Sequence, residues 1–254
     1  IYFKLSNNKM KKFGLIGYPL EHSFSKKYFE KKIKNEKLDN VRYDNYEIDN
    51  FNKLIDIIDQ NPELLGLNVT IPYKEKIISL LDGLDETAKK IGSVNTIKII
   101  DGKLIGFNTD HSGFKHSLLN WKVPIKKISA LILGTGGSSK AIKYTLNELN
   151  IPYKLISRES SKTKISYEEL FNQELLHNHK LIINTTPIGM YPNINNYPKL
   201  NYDQINNEHF VFDLVYNPSK TKLLSLCENR GAKIKNGHEM LINQAELSWD
   251  LWNK

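Results

Sequence analysis

The sequence predicts an α/β protein of two domains, one built on a mixed, mostly parallel sheet and the other doubly wound. Three observations carry that expectation. Short apolar runs alternate with amphipathic stretches in two successive series along the 254 residues. Within the first series Asp101-Gly102 separates two strand-like runs, a strong hairpin signal. At the head of the second, Leu133-Gly-Thr-Gly-Gly-Ser-Ser139 follows an apolar run and opens a helical one.

In the first series residues 12–17 read as a strand, 25–36 as a helix, 42–48 as a strand and 51–60 as an amphipathic helix. A strand over 66–71 precedes helices over 74–81 and 85–91, and residues 96–100 and 103–107 are the hairpin arms. The second series runs from a strand at 128–133 through a helix at 138–149 to a strand at 153–157. A helix at 167–172 and strands at 181–184 and 210–214 follow, then a helix at 218–229 closed by Gly231, which suits a C-terminal cap. Residues 232–235 form a short last strand and 238–252 a long helix containing Gln244. The doubly wound domain is expected over 112–236, with the last helix returning to a discontinuous domain of residues 10–111 and 237–254. Met10-Lys-Lys-Phe reads as a natural opening into the first strand, so Ile1 to Lys9 are expected to be vector-derived or upstream sequence. The Asn/Pro-rich stretch 191–198 reads as a loop.

Composition narrows the function classes. Hydrophobic residues at 40% and charged residues at 25% are ordinary for a globular protein, and no apolar run approaches a membrane-spanning length. Cys227 is the only cysteine, which excludes a disulfide framework and a thiolate metal cluster and fits a reducing, cytoplasmic setting. The net charge of +8 raises the question of nucleic acid, but the lysines are dispersed and only Arg42, Arg158 and Arg230 are arginines. Such a surface attracts an anionic substrate and a phosphorylated cofactor. No nucleic-acid or membrane partner is expected.

The chemistry concentrates at the ends of apolar runs. Asn68-Val-Thr-Ile-Pro-Tyr-Lys74, Ser93-Val-Asn-Thr96 and Asn108-Thr-Asp110 together offer amides, hydroxyls, an ammonium and a carboxylate. That set suits a small, hydroxyl-rich anion and a proton transfer at one of its oxygens. In the glycine turn, Gly134 permits the tight bend and Gly136 lets backbone approach a pyrophosphate, with the following helix N-terminus behind it. The third position of that fingerprint is Ser139. After the next strand stands Ser157-Arg158 where NAD-binding folds carry an acid, and a guanidinium there can meet a ribose 2′-phosphate. Asn184-Thr-Thr-Pro-Ile-Gly-Met190 makes a tight loop where a nicotinamide would lie, with Met190 able to pack on the ring. Ser23 and Ser25, one residue apart ahead of a helix, can point at a carboxylate, although Ser25 alone is also a plausible N-cap. His22 reads as a turn residue, and His177-Asn-His179 lacks metal-site spacing.

Together these segments, with Asn108-Thr-Asp-x-x-Gly113, Asp213-x-x-Tyr216-x-Pro218 and Met240-Leu-x-x-Gln244-Ala, occur in one order from Met10 onward, and the chain resembles the shikimate dehydrogenases. The resemblance implies NADPH-dependent, reversible reduction of 3-dehydroshikimate to shikimate, on the route to chorismate and the aromatic amino acids. It implies a substrate domain built from both chain ends, an inserted Rossmann-like NADP-binding domain, and no metal. Lys74 and Asp110 match the catalytic pair, and Ser23, Ser25, Thr70, Asn95, Tyr216 and Gln244 match substrate positions. Glu86, Gly134, Thr135, Gly136, Gly137, Ser138, Ser157, Arg158, Met190 and Gly237 match cofactor positions. A monomer or homodimer is expected. The chain departs from the family pattern at Lys26, where a proline is common, and at Ser157-Arg158-Glu159, where Asn-Arg-Thr is common. Alternatives are a quinate/shikimate dehydrogenase of relaxed cofactor choice and a non-catalytic dinucleotide-binding homologue.

Overall fold

The computed structural model describes residues 10–21 and 23–254; Ile1 to Lys9, read as upstream sequence, and His22, read as a turn residue, lie outside the described residues. The chain divides into two compact units, one formed by residues up to Asn108 together with Ser248–Lys254, the other by Thr109–Leu247.

The first unit contains β1 (Lys11–Gly17), α1 (Phe24–Asn35), β2 (Val41–Glu47), α2 (Lys53–Gln60), β3 (Leu64–Val69), β4 (Gly83–Leu84), α3 (Glu86–Ile91), β5 (Thr96–Ile100) and β6 (Lys103–Phe107). Its six strands lie in the order β2-β1-β3-β5-β6-β4. β1 is parallel to β2 and β3, whereas β5 runs antiparallel to β3 and β6. The hairpin at Asp101-Gly102 turns through two positive-φ residues, 50° and 76°, as a tight two-residue turn demands. Aromatic rings hold the C-terminus to this sheet. Phe13 stacks on Trp252 at 4.8 Å, Trp252 Nε1 donates to the Ile97 carbonyl at 2.9 Å, and Gly66 leaves space that a Cβ would deny the indole.

The second unit contains α4 (Asp110–Asn120), β7 (Ala130–Leu133), α5 (Gly137–Glu148), β8 (Tyr153–Ser157), β9 (Ile165–Ser166), α6 (Tyr167–Asn172), α7 (Leu175–Asn178), β10 (Leu181–Asn184), β11 (Phe210–Asp213), α8 (Lys222–Glu228) and β12 (Lys233–Asn236). Helix α9 (His238–Asn253) follows and ends in the first unit. The sheet, β12-β11-β10-β7-β8-β9, is parallel at every pairing. Strand order reverses between β7 and β10, the switch point where open α/β sheets bind ligands beyond their carboxyl ends. Alternate residues face opposite layers: Ile132, Ile183 and Phe212 pack with Phe114 and Ile142, while Leu131, Ile182 and Val211 pack with Leu170 and Leu223. Both faces are therefore buried, which is why these strands read as unbroken apolar runs.

Some elements differ from the sequence expectation. The helix expected over 74–81 is a short 3₁₀ turn, Lys76–Leu80, entered through a turn at Lys74 and Glu75. The helix expected from residue 218 begins at Lys222, because the Thr221 hydroxyl accepts the Leu224 N–H and caps it there. Helix α4 has no counterpart in the expectation: its buried face includes Asp110, Gly113 and Ser117, so the apolar periodicity is weak. β4 and β9 are two residues each, too short to carry a period.

Candidate active site

Pairing within the first sheet brings the predicted substrate residues to one edge. β1 and β3 end there at Gly17 and Val69, and the antiparallel register Asn68↔Thr96 and Thr96↔Phe107 sets the start of β5 and the end of β6 beside them. The loops leaving this edge carry Ser23, Thr70 and Lys74, Asn95, and Asn108, and Ser25 lies in the first turn of α1. They are stitched by backbone bonds: Thr70 N–H to the Ile16 carbonyl (2.9 Å), Val69 N–H to the Asn95 carbonyl (2.8 Å) and Val94 N–H to the Lys74 carbonyl (2.7 Å). The last of these fixes Lys74 against the Ser93–Asn95 segment. Asn68, buried behind the edge, accepts from Tyr43 at 2.8 Å and donates to Ser248 at 3.0 Å. Glu86 stands exposed in the first turn of α3, behind the Asp85 cap, on this unit and not on the one bearing the glycine turn.

The two serines are held differently. Ser23, not Ser25, occupies the N-cap position of α1, yet its hydroxyl caps nothing. That Oγ is buried and unpaired among the described residues, as is Ser93 Oγ on the same edge. Helix α1 has no acidic residue in its first turn, so its amide end favours an anion. Ser25 hydrogen-bonds Tyr43, whose phenol burial pushes well above its ordinary range. The charge introduced by Lys26 is committed elsewhere, 3.5 Å from Asp44 and 3.9 Å from Glu30.

Asp110, Tyr216 and Gln244 belong to the second unit. Asp110 opens α4 and is almost fully buried (4% exposed), where a carboxylate complements the helix dipole. Gly113 lets α4 approach α9: a Cβ there would lie 2.8 Å from the Met240 carbonyl oxygen and 3.1 Å from Gln244. The approach brings the Thr109 hydroxyl to 3.5 Å from Gln244 Oε1, while Gln244 Nε2 donates to the Leu241 carbonyl at 2.9 Å.

The nucleotide residues surround the switch point. Gly134 has φ 106°, open to glycine, and a Cβ there would strike Thr185 and Thr186 at 2.8 Å, so the turn after β7 interlocks with the loop after β10. Nothing lies within 4 Å of where a Gly136 Cβ would stand, which leaves the backbone open to close approach. Thr135 and Gly136 are exposed, and α5 begins at Gly137 and Ser138 without a side-chain cap. Ser139 ties the turn by donating to the Gly136 carbonyl at 2.8 Å. These features fit a pyrophosphate at a helix N-terminus. After β8 the Ser157 hydroxyl donates to the Glu159 carbonyl, and neither Arg158 nor Glu159 has an ion-pair partner among the described residues. Exposed Arg158 is thus available to a phosphate. Met190 is half-buried in the loop after β10. Gly237 packs on the Leu214 backbone and donates to the Val215 carbonyl at 3.2 Å.

The sequence places Asp213 at the head of the Asp213-x-x-Tyr216-x-Pro218 segment but gives it no role. Fully buried, it accepts from Asn184 Nδ2 (2.9 Å), Val215 N–H (3.0 Å) and the Thr221 hydroxyl (2.6 Å). Burial pushes its carboxyl up to about 6, and the three hydrogen bonds restrain that rise. Asn184 lies 29 residues away, and no local pattern announces that bond. Among the described residues no group of His, Cys, Asp or Glu could hold a metal ion, and no helix is long and apolar enough to cross a membrane.

A parallel sheet with a glycine turn at its switch point, and a second sheet edge lined with hydroxyls, amides and Lys74, define a dinucleotide-dependent oxidoreductase of small polar substrates. The model of the shikimate dehydrogenase substrate binding domain matches residues 15–97. A shikimate dehydrogenase (NADP(+)) of Clostridium beijerinckii is 39% identical over 252 residues, covering 96% of this chain and 93% of that protein. A shikimate dehydrogenase crystallised in complex with NADP+ superposes with a TM-score of 0.84 at 34% identity, covering 96% of this chain and 90% of that one. The enzyme of Thermus thermophilus in complex with NADP(H) and shikimate gives a TM-score of 0.84 at 28% identity, covering 96% and 93%. The chain belongs to the shikimate dehydrogenase family.

Proposed function

We propose that the protein catalyses the reversible, NADPH-dependent reduction of 3-dehydroshikimate to shikimate, within the pathway to chorismate and the aromatic amino acids. The observation that carries this reading is the convergence of Ser23, Ser25, Thr70, Lys74 and Asn95 on one sheet edge of a chain that shares 39% identity with a named NADP-dependent relative. Ser23 and Ser25 take the substrate carboxylate; the buried, unpaired Ser23 hydroxyl supports that assignment. Thr70, Asn95, Tyr216 and Gln244 bind the ring hydroxyls. Gly134, Thr135, Gly136, Gly137 and Ser138 cradle the pyrophosphate, Ser157 and Arg158 take the adenosine phosphate, and Met190, Gly237 and Glu86 complete the cofactor contacts.

When bound, the nicotinamide supplies hydride to the C3 carbonyl in reduction and accepts it in the reverse direction. Lys74 gives a proton to the oxygen that becomes the C3 hydroxyl and recovers it from solvent; in oxidation it takes that proton back. Asp110 is its partner in the catalytic pair. Ammonium and hydrogen-bond donors suffice to stabilise the developing oxyanion, so no metal enters the scheme. The domains that carry these roles are residues 10–111 with 237–254, and 112–236. We place the enzyme in the cytoplasm as a monomer or homodimer. Adding shikimate with NADP+ or NAD+ to the purified protein and following reduced-nicotinamide absorbance tests the proposal. Growth of absorbance with NADP+ is expected, and its absence with both cofactors overturns the reading.

A further inference from the structure

Asp213 is a buried carboxylate to which the chemistry above gives no task. Three donors converge on it from three separate segments: Asn184 Nδ2 after β10, the Val215 N–H after β11, and the Thr221 hydroxyl before α8. Asn184 passes the constraint on, because its Oδ1 accepts both the Thr186 N–H at 3.1 Å and the Thr186 hydroxyl at 2.7 Å. One carboxylate therefore holds the base of two loops, that of Met190 and that of Tyr216. The loops are also tied directly, Leu214 N–H to the Asn184 carbonyl at 2.9 Å and Tyr191 N–H to the Asn217 carbonyl at 3.3 Å.

Stability alone does not account for a charge at this point. A fully buried carboxylate is costly even when hydrogen-bonded, and an apolar or neutral side chain of similar size serves a purely structural post better. What only an ionised carboxylate supplies is acceptor capacity at both oxygens. An asparagine in its place keeps Asn184 and Val215 on its Oδ1 and turns its NH₂ toward Thr221, whose hydroxyl must then accept where it now donates. We propose that Asp213 is a positioning residue of the dehydrogenase, setting the loops of Met190 and Tyr216 in register with one another for hydride transfer. The inference rests on the function proposed above.

Two variants of the full chain test it, assayed with shikimate and NADP+ at a temperature where circular dichroism shows each folded. Asp213→Ala removes the acceptor shared by both loops: kcat is expected to fall at least about tenfold and the shikimate KM to rise, since small misplacements of reacting groups have costs of that order. Thr186→Val removes the hydroxyl bond to Asn184, keeps the N–H bond and so loosens only the Met190 loop; kcat falls while the shikimate KM holds. Binding of 2′,5′-ADP, which reads the Arg158 side alone, should stay within about twofold of wild type in both, against the tenfold expected of a displaced reacting group. Variants that lower Tm but keep wild-type kcat and KM overturn the proposal, as does a parallel loss of 2′,5′-ADP binding, which marks general damage. Should Asp213→Ala fail to fold, an unchanged kcat in Thr186→Val refutes the inference and a lowered kcat at constant KM supports it. A wild-type protein inactive with shikimate overturns the functional reading, and this one with it; wild-type turnover with unaffected variants overturns this one alone.

Discussion

Replacing Ser23 with alanine should move stability and substrate affinity in opposite directions. Ser23 stands at the N-cap of α1 (φ −62°, ψ 126°), where a serine ordinarily caps the helix for about 1 kcal/mol. Its hydroxyl forgoes that bond and is buried without a partner among the described residues. An unsatisfied buried hydroxyl costs about 1–3 kcal/mol, so Ser23→Ala should leave the ligand-free protein equally stable or more stable. The same hydroxyl, donated to a carboxylate, is worth about 1.5–3 kcal/mol, or a shikimate KM raised by about ten- to 150-fold. Ser25 makes the contrasting case, because its bond to Tyr43 is lost on substitution. Ser25→Ala should therefore raise KM and also lower Tm. The double variant should raise KM furthest while the cofactor dissociation constant stays put. Thermal melts and steady-state kinetics on the three proteins read both quantities. An unchanged KM in Ser23→Ala, or a Tm drop matching that of Ser25→Ala, refutes the reasoning.

Three further outcomes are expected. Lys74→Ala should keep cofactor binding and most shikimate affinity but lose kcat by about 10²–10⁴-fold, because proton donation acts in the transition state; near-wild-type kcat removes Lys74 from the mechanism. Arg158→Ala should weaken NADP+ more than NAD+, narrowing the kcat/KM preference by about ten- to a hundredfold, roughly 1.4–2.8 kcal/mol; equal losses with both cofactors contradict it. The carboxyl of Asp213, raised in the folded protein from 3.8 to about 6, binds protons more readily folded than unfolded between those values. Its contribution to stability is therefore fully present below pH 3.8 and is lost as pH rises through about 6. Asp213→Asn should flatten that part of the stability–pH curve measured by urea unfolding, and an identical slope in wild type and variant counts against it.

What the sequence made legible follows from how local each signal is. The hairpin at Asp101-Gly102 and the strands Tyr153–Ser157 and Leu181–Asn184 emerge where expected, because turn chemistry and apolar runs are properties of adjacent residues. The turn at Gly134 is legible for the same reason. Helix α4 was not, since Gly113 and Ser117 face inward where a period-seeking reading looks for large apolar side chains. The sheet edge that gathers Ser23, Thr70 and Asn95 depends on β5 running antiparallel to β3, a long-range pairing that no spacing encodes. Which serine stands at the N-cap was misplaced by two residues, and that two-residue difference is what isolates the Ser23 hydroxyl.

The departures from the family pattern sharpen this view. A lysine next to a carboxylate-binding pair could have added a competing or a reinforcing charge. Here Lys26 turns to Asp44 on β2 and Glu30 one helical turn along α1, at 3.5 and 3.9 Å. Exposed pairs of this kind contribute little stability, about 0–1 kcal/mol, but they balance a charge locally. On the assignment proposed above, the substrate carboxylate meets neutral donors and a helix amide end, and selectivity at that end rests on hydrogen-bond geometry more than on net charge. At the adenosine end the logic reverses. Glu159 stands beside Arg158 in sequence, yet the Ser157 hydroxyl takes the Glu159 carbonyl and the two side chains form no ion pair. Among the described residues no ion pair balances the guanidinium, and on the assignment proposed above an exposed arginine after β8 suits a 2′-phosphate. On the proposed assignments one anion is met by placed neutral groups and the other by a guanidinium, so added salt should weaken NADP+ binding more than shikimate binding.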